Sequence, residues 1–239
     1  MKNGKELFSY ESLAFFGQVN ASISHELKNI MAIISETAGL LNDITDMASN
    51  GRTIDSDLLQ TSARSIMEEI HRGFKTIRQM NRFAHCVDKP VESVLLEEIL
   101  EMVINIAGYL AYSGTTRLLT LKTEKETVVT SPFILAAIVY QALTFSYGNS
   151  GPDAEIEIEI SRWSDSVWRI TIHRFDIKPF QTFPDEHLEK MARSIGVDIQ
   201  CDRFNNRLDL DVPDNLDGFS MQQDGRTAVN GKGASKIRF

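Results

Sequence analysis

The sequence predicts an α+β protein, in which a long helical hairpin precedes an α/β sandwich of helices packed on one side of a mostly antiparallel sheet. Two observations carry this prediction. Before Pro90, apolar residues recur at spacings of three and four; after it, helical segments are interspersed with strand-like alternation. We therefore divide the chain into a hairpin over 1–89, a sandwich over 90–213 and a flexible tail over 214–239.

The hairpin is predicted from two regular apolar seams. The first helix should run from about Tyr10 to Ser49 and the second from about Asp55 to His85, with a turn at Asn50-Gly51 and a cap at Thr53 or Asp55. The first seam consists of Phe16, Asn20, Ile23, Leu27, Ile30, Ile34, Thr37, Leu41 and Ile44. The second seam consists of Leu59, Ala63, Ile66, Ile70, Gly73, Ile77, Met80 and Ala84.

More apolar surface is present than one hairpin can bury. Met31, Ile33 and Leu40 flank the first seam. A helix of about 35 residues is roughly 50 Å long, so two such helices cannot cover all of these side chains against each other. We therefore expect a homodimer in which two hairpins form a four-helix bundle.

His25 is the residue of the hairpin with the most evident chemistry. Because Ile23 and Leu27 belong to the seam, His25 takes heptad position f and should face away from it. An exposed imidazole can act as a nucleophile at neutral pH. Glu26 could orient the ring or accept its proton, and Asn29 could position a water or a phosphoryl oxygen. A surface histidine without a role is the commoner alternative for a lone histidine.

The segment from Ser24 to Asn29, Ser-His-Glu-Leu-Lys-Asn, resembles the H-box of bacterial sensor histidine kinases. The resemblance implies that His25 accepts a phosphoryl group, that Glu26 assists the transfer, and that Asn29 supports dephosphorylation of the partner. Ser24 and Lys28 are then supporting residues of the same motif. The proline that often follows this motif is Ile30 here, so the helix should continue without a kink.

The order of elements after Pro90 resembles the GHKL-type ATP-binding domain of the same family, over about residues 91–213. Helices are predicted over Leu96–Tyr112, Phe133–Tyr147 and Pro184–Ile195. Strands are predicted over Arg117–Thr123, Thr127–Val129, Glu155–Ile160, Val167–Arg174, Val197–Cys201 and Arg207–Val212.

The residues that hold a nucleotide in that family are missing. The family's Asn-rich box falls on Gln141 to Ser146, with Phe145 at the essential asparagine, and its glycine-rich motif falls on His173 to Lys178, with Arg174 at the acidic position. A loop that wraps phosphates needs glycine or free N–H groups at a helix N-terminus, and no glycine occurs from Pro152 to Ile195. We therefore expect no bound cofactor and no metal site.

Composition narrows the class of protein. The chain has 239 residues, with 33 acidic and 25 basic side chains and a net charge of −8, which argues against nucleic acid as a partner. Cys86 and Cys201 alone make no disulfide framework, and the most apolar run is far shorter than the roughly 20 residues of a membrane span. We expect a cytoplasmic protein without a membrane segment. The other histidines, His71, His85, His173 and His187, are interpreted as structural or surface residues.

An intact His25, Glu26 and Asn29 beside a missing nucleotide site favours one function. The chain resembles phosphorelay histidine phosphotransferases, which look like degenerate kinases. It would exchange a phosphoryl group between His25 and the aspartate of a response-regulator receiver domain, with Mg²⁺ carried by that partner. The alternatives are a divergent ATP-dependent sensor histidine kinase and a non-enzymatic dimeric scaffold for a response regulator.

Overall fold

A computed structural model describes residues 4–108, 115–120, 127–151, 154–178 and 181–216. It begins with two long helices, α1 (Gly4–Ser49) and α2 (Ser56–His85), which form the predicted antiparallel hairpin. Gly51 turns the chain between them with a φ of +82°, a conformation that glycine adopts without strain. Of the two predicted caps, Asp55 is the one used, because its carboxylate accepts hydrogen bonds from the amides of Asp57 and Leu58.

The predicted seam of α1 is confirmed as its inward face. Ile23, Ile30 and Ile44 are buried, and the other six predicted members are half-buried. Leu13 and Met31 remain exposed, as do Ile33 and Leu40. The first helix therefore buries one apolar stripe and leaves further apolar side chains uncovered.

The predicted seam of α2 is its line of contact within the chain only in part: Gly73 is buried and Leu59 and Ile66 are half-buried, but the larger members nearer its end are not. Ile70, Ile77 and Met80 are exposed, whereas smaller or polar residues of α2 are buried. These are Ser62, Gly73, Thr76 and Gln79, together with Phe83. The reason is close approach: a methyl carbon of Ile30 lies 3.7 Å from where a Cβ of Gly73 would stand. Small side chains let α2 lie against α1, which turns its larger aliphatic residues outward.

The second part of the chain is the predicted α+β sandwich. Its helices are α3 (Leu96–Ala107), α4 (Pro132–Gly148) and α5 (Glu186–Ser194). Its strands are β1 (Glu92–Leu95), β2 (Thr115–Thr120), β3 (Thr127–Thr130), β4 (Glu155–Ser164), β5 (Val167–His173), β6 (Asp198–Asp202) and β7 (Arg207–Pro213). Five strands form a sheet in the order β2-β4-β5-β7-β6, parallel only between β2 and β4, and β1 pairs with β3. Helices and mostly antiparallel strands thus form one fold, as predicted.

Several boundaries differ from the predictions. Strand β1 was not predicted, because its four residues, Glu-Ser-Val-Leu, are too few to show an alternating pattern. Strand β2 begins at Thr115, two residues before the predicted start at Arg117. The predicted ends of the α3 helix at Tyr112 and of the β2 strand at Thr123, and the predicted tail beyond Leu216, lie outside the described residues.

The alternating segment of β4 forms a strand, but its polar face is not simply hydrated. Ile156, Ile158 and Ile160 are buried in the core. On the other face Glu157 is also buried, and its carboxylate lies 2.8 Å from the Arg174 guanidinium. Burying a carboxylate is tolerated because a cation compensates its charge.

Hairpin and sandwich share one hydrophobic core. Phe15 of α1 lies within 5.2–5.5 Å, between ring centroids, of Phe83, Phe133 and Tyr140. Val19 and Ile23, the next inward residues of α1, belong to the same cluster. Since Ile23 is two residues from His25, this core fixes the position of His25 relative to the sandwich. Among the helices of the described residues, none combines the length and apolarity that crossing a membrane requires.

Candidate functional site

His25 lies on the outer surface of α1 and is exposed to solvent. Its closest recorded side-chain partner is Asn29, whose Nδ2 atom is 3.3 Å from the His25 Nδ1 atom. A spacing of four residues places both side chains on the same face of a helix, one turn apart. The helix therefore presents an imidazole whose Nδ1 side meets an amide and whose Nε2 side has no recorded partner among the described residues.

The Asn29 amide can hold the ring in either of two tautomers. The oxygen and nitrogen of an amide are interchangeable in such an assignment, so Asn29 can turn its Oδ1 atom toward Nδ1. Nδ1–H then donates to that oxygen, and the Nε2 lone pair is directed to solvent. In this tautomer His25 has the geometry of an exposed nitrogen nucleophile.

Glu26 lies differently from its neighbour. Its side chain is turned into the groove between α1 and α2 and is only 8% exposed. There its Oε1 atom accepts a hydrogen bond from the Arg72 Nε atom at 2.7 Å and lies 2.5 Å from the Arg72 Nη2 atom. No contact between Glu26 and the His25 ring is recorded for the described residues. The structure thus brings Asn29 to His25 and directs Glu26 to α2.

Arg72 and Glu69 are site residues that the sequence did not reveal. The Arg72 Nη1 atom donates to both carboxylate oxygens of Glu69, at 3.1 and 3.3 Å. Burial lowers the pKa of Arg72, but its hydrogen bond and charge interactions with Glu26 and Glu69 outweigh that cost and raise it above its usual value. The pairing depends on the register between helices, which no single-helix pattern contains.

Ser24 and Lys28, the other two residues of the motif, are both exposed. Neither makes a side-chain hydrogen bond or ion pair within the described part of the chain. Both remain available to an incoming partner on the His25 side of α1.

Three phenylalanines pack together at the segments where the resemblance places the family's nucleotide-binding motifs. Phe145 stacks on Phe183 with 4.5 Å between ring centroids and meets Phe175 edge-on at 6.4 Å. Phe145 occupies the position of the family's essential asparagine, and the other two phenylalanines come from the segment between β5 and α5. We name these three residues the aromatic cluster.

The segment that follows β5 is held in place by hydrogen bonds from its own backbone amides. Its amides donate to oxygens of Asn149 and Asn206: Asp176 to the Asn149 carbonyl at 3.1 Å, Lys178 to Asn149 Oδ1 at 3.2 Å and Ile177 to Asn206 Oδ1 at 2.9 Å. An anion-binding loop needs such N–H groups free to point at phosphate. These three amides are already engaged.

A cavity of about 390 Å³ lies beside the aromatic cluster, between α1, α4 and α5. Its polar lining comes from Gln18, Gln141, Thr144, Thr182, Asp185 and His187. Within the described ranges, no group of three or more histidine, cysteine or acidic side chains is arranged to hold a metal ion. The polar groups present therefore suit hydrogen bonding more than cation coordination.

Comparisons with known proteins place the chain beside histidine kinases of known structure. It is similar to the catalytic domain of histidine kinase ThkA, with 13% identity, a TM-score of 0.46, and coverage of 54% of this chain and 99% of that one. It is also similar to the histidine kinase AdeS of Acinetobacter baumannii (10% identity, TM-score 0.43, 80% and 98% covered). A third similar structure is the cytoplasmic segment of histidine kinase QseC (12% identity, TM-score 0.40, 60% and 93% covered). No family model and no curated protein matches the sequence.

Proposed function

We propose that this protein is a dimeric histidine phosphotransferase, which exchanges a phosphoryl group between His25 and the aspartate of a response-regulator receiver domain without binding ATP. One observation carries the proposal. An exposed imidazole, paired at Nδ1 with Asn29, stands on a helical hairpin, and in the attached sandwich the aromatic cluster packs at the segments where the resemblance places the nucleotide-binding motifs.

The transfer step follows from the geometry of the ring. With Nδ1–H donating to the Asn29 amide oxygen, the Nε2 lone pair attacks the phosphorus of an aspartyl phosphate. The P–N bond forms as the P–O bond to the acyl group breaks, and the aspartate leaves as a carboxylate. The ring keeps its Nδ1 proton and so carries positive charge, while the Asn29 amide oxygen accepts the hydrogen bond of that proton. Glu26, the next residue of α1, adds a negative charge on the same turn of the helix. Mg²⁺, held by the receiver's carboxylates, would neutralise charge on the leaving side.

Asn29 also supports the reverse outcome, loss of the phosphoryl group to water. Its amide lies one turn from His25 on the exposed face and can hydrogen-bond a water directed at the receiver's phosphoaspartate. Lys28 and Ser24 flank the site, and Lys28 places a positive charge near an incoming phosphoryl group.

The dimer is part of the proposal. Four residues of α2 follow heptad spacing on its exposed side: Met67, Ile70, Phe74 and Ile77. Phe74 is 57% exposed, which is unusual for a large aromatic side chain in a row of aliphatic ones. A second hairpin applied to this row by a two-fold axis would bury it and complete a four-helix bundle.

The direct test is transfer of label. Receiver domains carrying a ³²P-labelled aspartyl phosphate are mixed one by one with the protein, and the protein is followed for label. We expect at least one receiver to give label that is stable to base and released by acid, as a phosphoramidate is. If no receiver transfers label in either direction, the proposal is wrong.

A second candidate, an ATP-dependent kinase, is favoured by the cavity of about 390 Å³ between α1, α4 and α5, which has polar groups in its lining. Calorimetric titration with Mg²⁺-ATP separates the two functions. We expect no binding at ATP concentrations up to about 1 mM, a limit near 4 kcal/mol of binding free energy, because the aromatic cluster and the engaged loop amides leave the phosphates without donors. Tight binding, followed by label on His25, would establish the kinase instead.

A further inference from the structure

The pairing of Glu26 with Arg72 needs an explanation, because the carboxylate is buried beside an exposed histidine. A carboxylate removed from water is costly unless a cation and hydrogen bonds compensate it. Glu26 has only 8% of its side chain exposed, and Arg72 supplies its only recorded partner among the described residues. The position of the Glu26 carboxylate therefore depends on its contact with Arg72.

Arg72 is itself held from two sides. Glu69, one turn earlier on α2, binds its Nη1 atom, while Glu26 of α1 binds its Nε and Nη2 side. The Glu69 side chain is 16% exposed and that of Arg72 is 44% exposed. The guanidinium thus joins two carboxylates from different helices at the level of His25, and its planar shape fixes the direction of each bond.

We propose that Arg72 is a positioning residue of the His25 site, which holds the Glu26 carboxylate in one place between α1 and α2; this inference rests on the proposed function. His25 and Glu26 are consecutive residues with Cα atoms about 3.8 Å apart, so even side chains that point in different directions keep their charged ends within about one Debye length, roughly 10 Å at 0.1 M salt. A fixed carboxylate there stabilises the positive charge that the ring gains on phosphorylation at Nε2. Without Arg72, the carboxylate would lose its recorded partner and turn out into water.

The test uses potassium phosphoramidate, a small phosphoryl donor that needs no receiver domain. The imidazole nitrogen forms a new P–N bond while the P–N bond to the leaving ammonia breaks. Because other exposed histidines such as His71 and His85 can react in the same way, the label on His25 is measured by mass spectrometry of the peptide that contains it. Arg72→Gln should slow labelling by roughly 10- to 100-fold, the range associated with misplaced catalytic groups. Arg72→Lys, which keeps the charge but loses the fork, should recover part of the rate. Arg78→Gln, on the exposed side of α2, is the matched control and should label as wild type.

A positioning residue acts through its partner, so a variant that lacks both Glu26 and Arg72 tests whether Arg72 acts on His25 through Glu26. Glu26→Gln should slow labelling, and Glu26→Gln combined with Arg72→Gln should be no slower than the slower single variant. Unfolding midpoints of all variants show whether any loss of rate comes from loss of fold. The inference would be overturned if Arg72→Gln were labelled at the wild-type rate. It would also be overturned if the double variant lost rate by the product of the two single losses, because the two residues would then act independently. If phosphoramidate labels His25 in this Arg72-dependent way but no receiver exchanges label, the proposed function fails while the role of Arg72 stands.

Discussion

Replacing His25 by glutamine is expected to abolish phosphoryl uptake from labelled receiver domains, while phosphoramidate should label only the remaining exposed histidines such as His71 and His85. Glutamine has a similar size and polarity, but its amide nitrogen has no lone pair available for attack on phosphorus. Because His25 is exposed and joined only to Asn29 among the described residues, the substitution should change the free energy of unfolding by no more than about 0.5 kcal/mol. Label after gel separation and phosphohistidine by mass spectrometry are the measurements.

His71 provides the matched control for this experiment. It is also an exposed histidine of the hairpin, on α2, and it has no hydrogen bond or ion pair recorded in the described part of the chain. His71→Gln should take up label at the wild-type rate. If uptake from a receiver domain persists in His25→Gln but falls in His71→Gln, the phosphoryl group is accepted by His71, and the site described above is contradicted.

The second large effect concerns assembly. Ile77→Glu should convert a dimer into a monomer at micromolar concentration, because the substitution places a carboxylate from each chain in an apolar interface. The penalty for burying an unpaired charge is on the order of several kcal/mol. In the single chain Ile77 is 43% exposed, so the monomer should remain folded. Light scattering on a sizing column gives the mass, and circular dichroism checks the helices.

Thr61→Glu is the control for that substitution. Thr61 is also exposed on α2, but it lies outside the row formed by Met67, Ile70, Phe74 and Ile77. The Thr61→Glu substitution adds the same charge as Ile77→Glu but should leave the dimer intact. A wild-type protein that elutes as a monomer at micromolar concentration would rule out the dimer and the four-helix bundle together.

Local patterns were enough to predict the most important features of the α1 surface. Ile23 and Ile30 are buried, and the residues between them turn in steps of about 100°, so the outward direction of His25 follows from helix geometry. The distance of four residues to Asn29 likewise brings the two side chains together. Both relations hold within a single helix and need no knowledge of its neighbours.

Relations between elements could not be predicted in the same way. The apolar periodicity of α2 is real, but Ile70 and Ile77 face away from α1, because Gly73 and other small residues form the closer contact. Periodicity shows that a helix has an apolar stripe; it does not show which surface covers that stripe. The partner of Glu26 on α2 depends on the same register and was missed for the same reason.

The segments that resemble the family's nucleotide-binding motifs show both what the sequence reveals and what only the structure reveals. The absence of glycine between Pro152 and Ile195 and the position of Phe145 could be found by inspection of the sequence. That Phe145 meets Phe175 and Phe183 could not, because these residues are 30 or more positions away along the chain. The sequence predicts that the family's ligand groups are missing, and the structure shows that Phe145 packs against Phe175 and Phe183.

The sequence by itself determined the two-part architecture, the exposed histidine with its amide neighbour, and the absence of glycine from Pro152 to Ile195. All three depend on the repeat of a helix or strand, or on backbone freedom at one position, and these are local properties of the chain. Only the tertiary structure decided that Glu26 pairs with Arg72 and that α1 and the sandwich share a core through Phe15. It also decided that the apolar row Met67, Ile70, Phe74 and Ile77 of α2 is exposed to solvent within the single chain. Those outcomes depend on how closely two surfaces approach, which is set by side chains far apart in the chain.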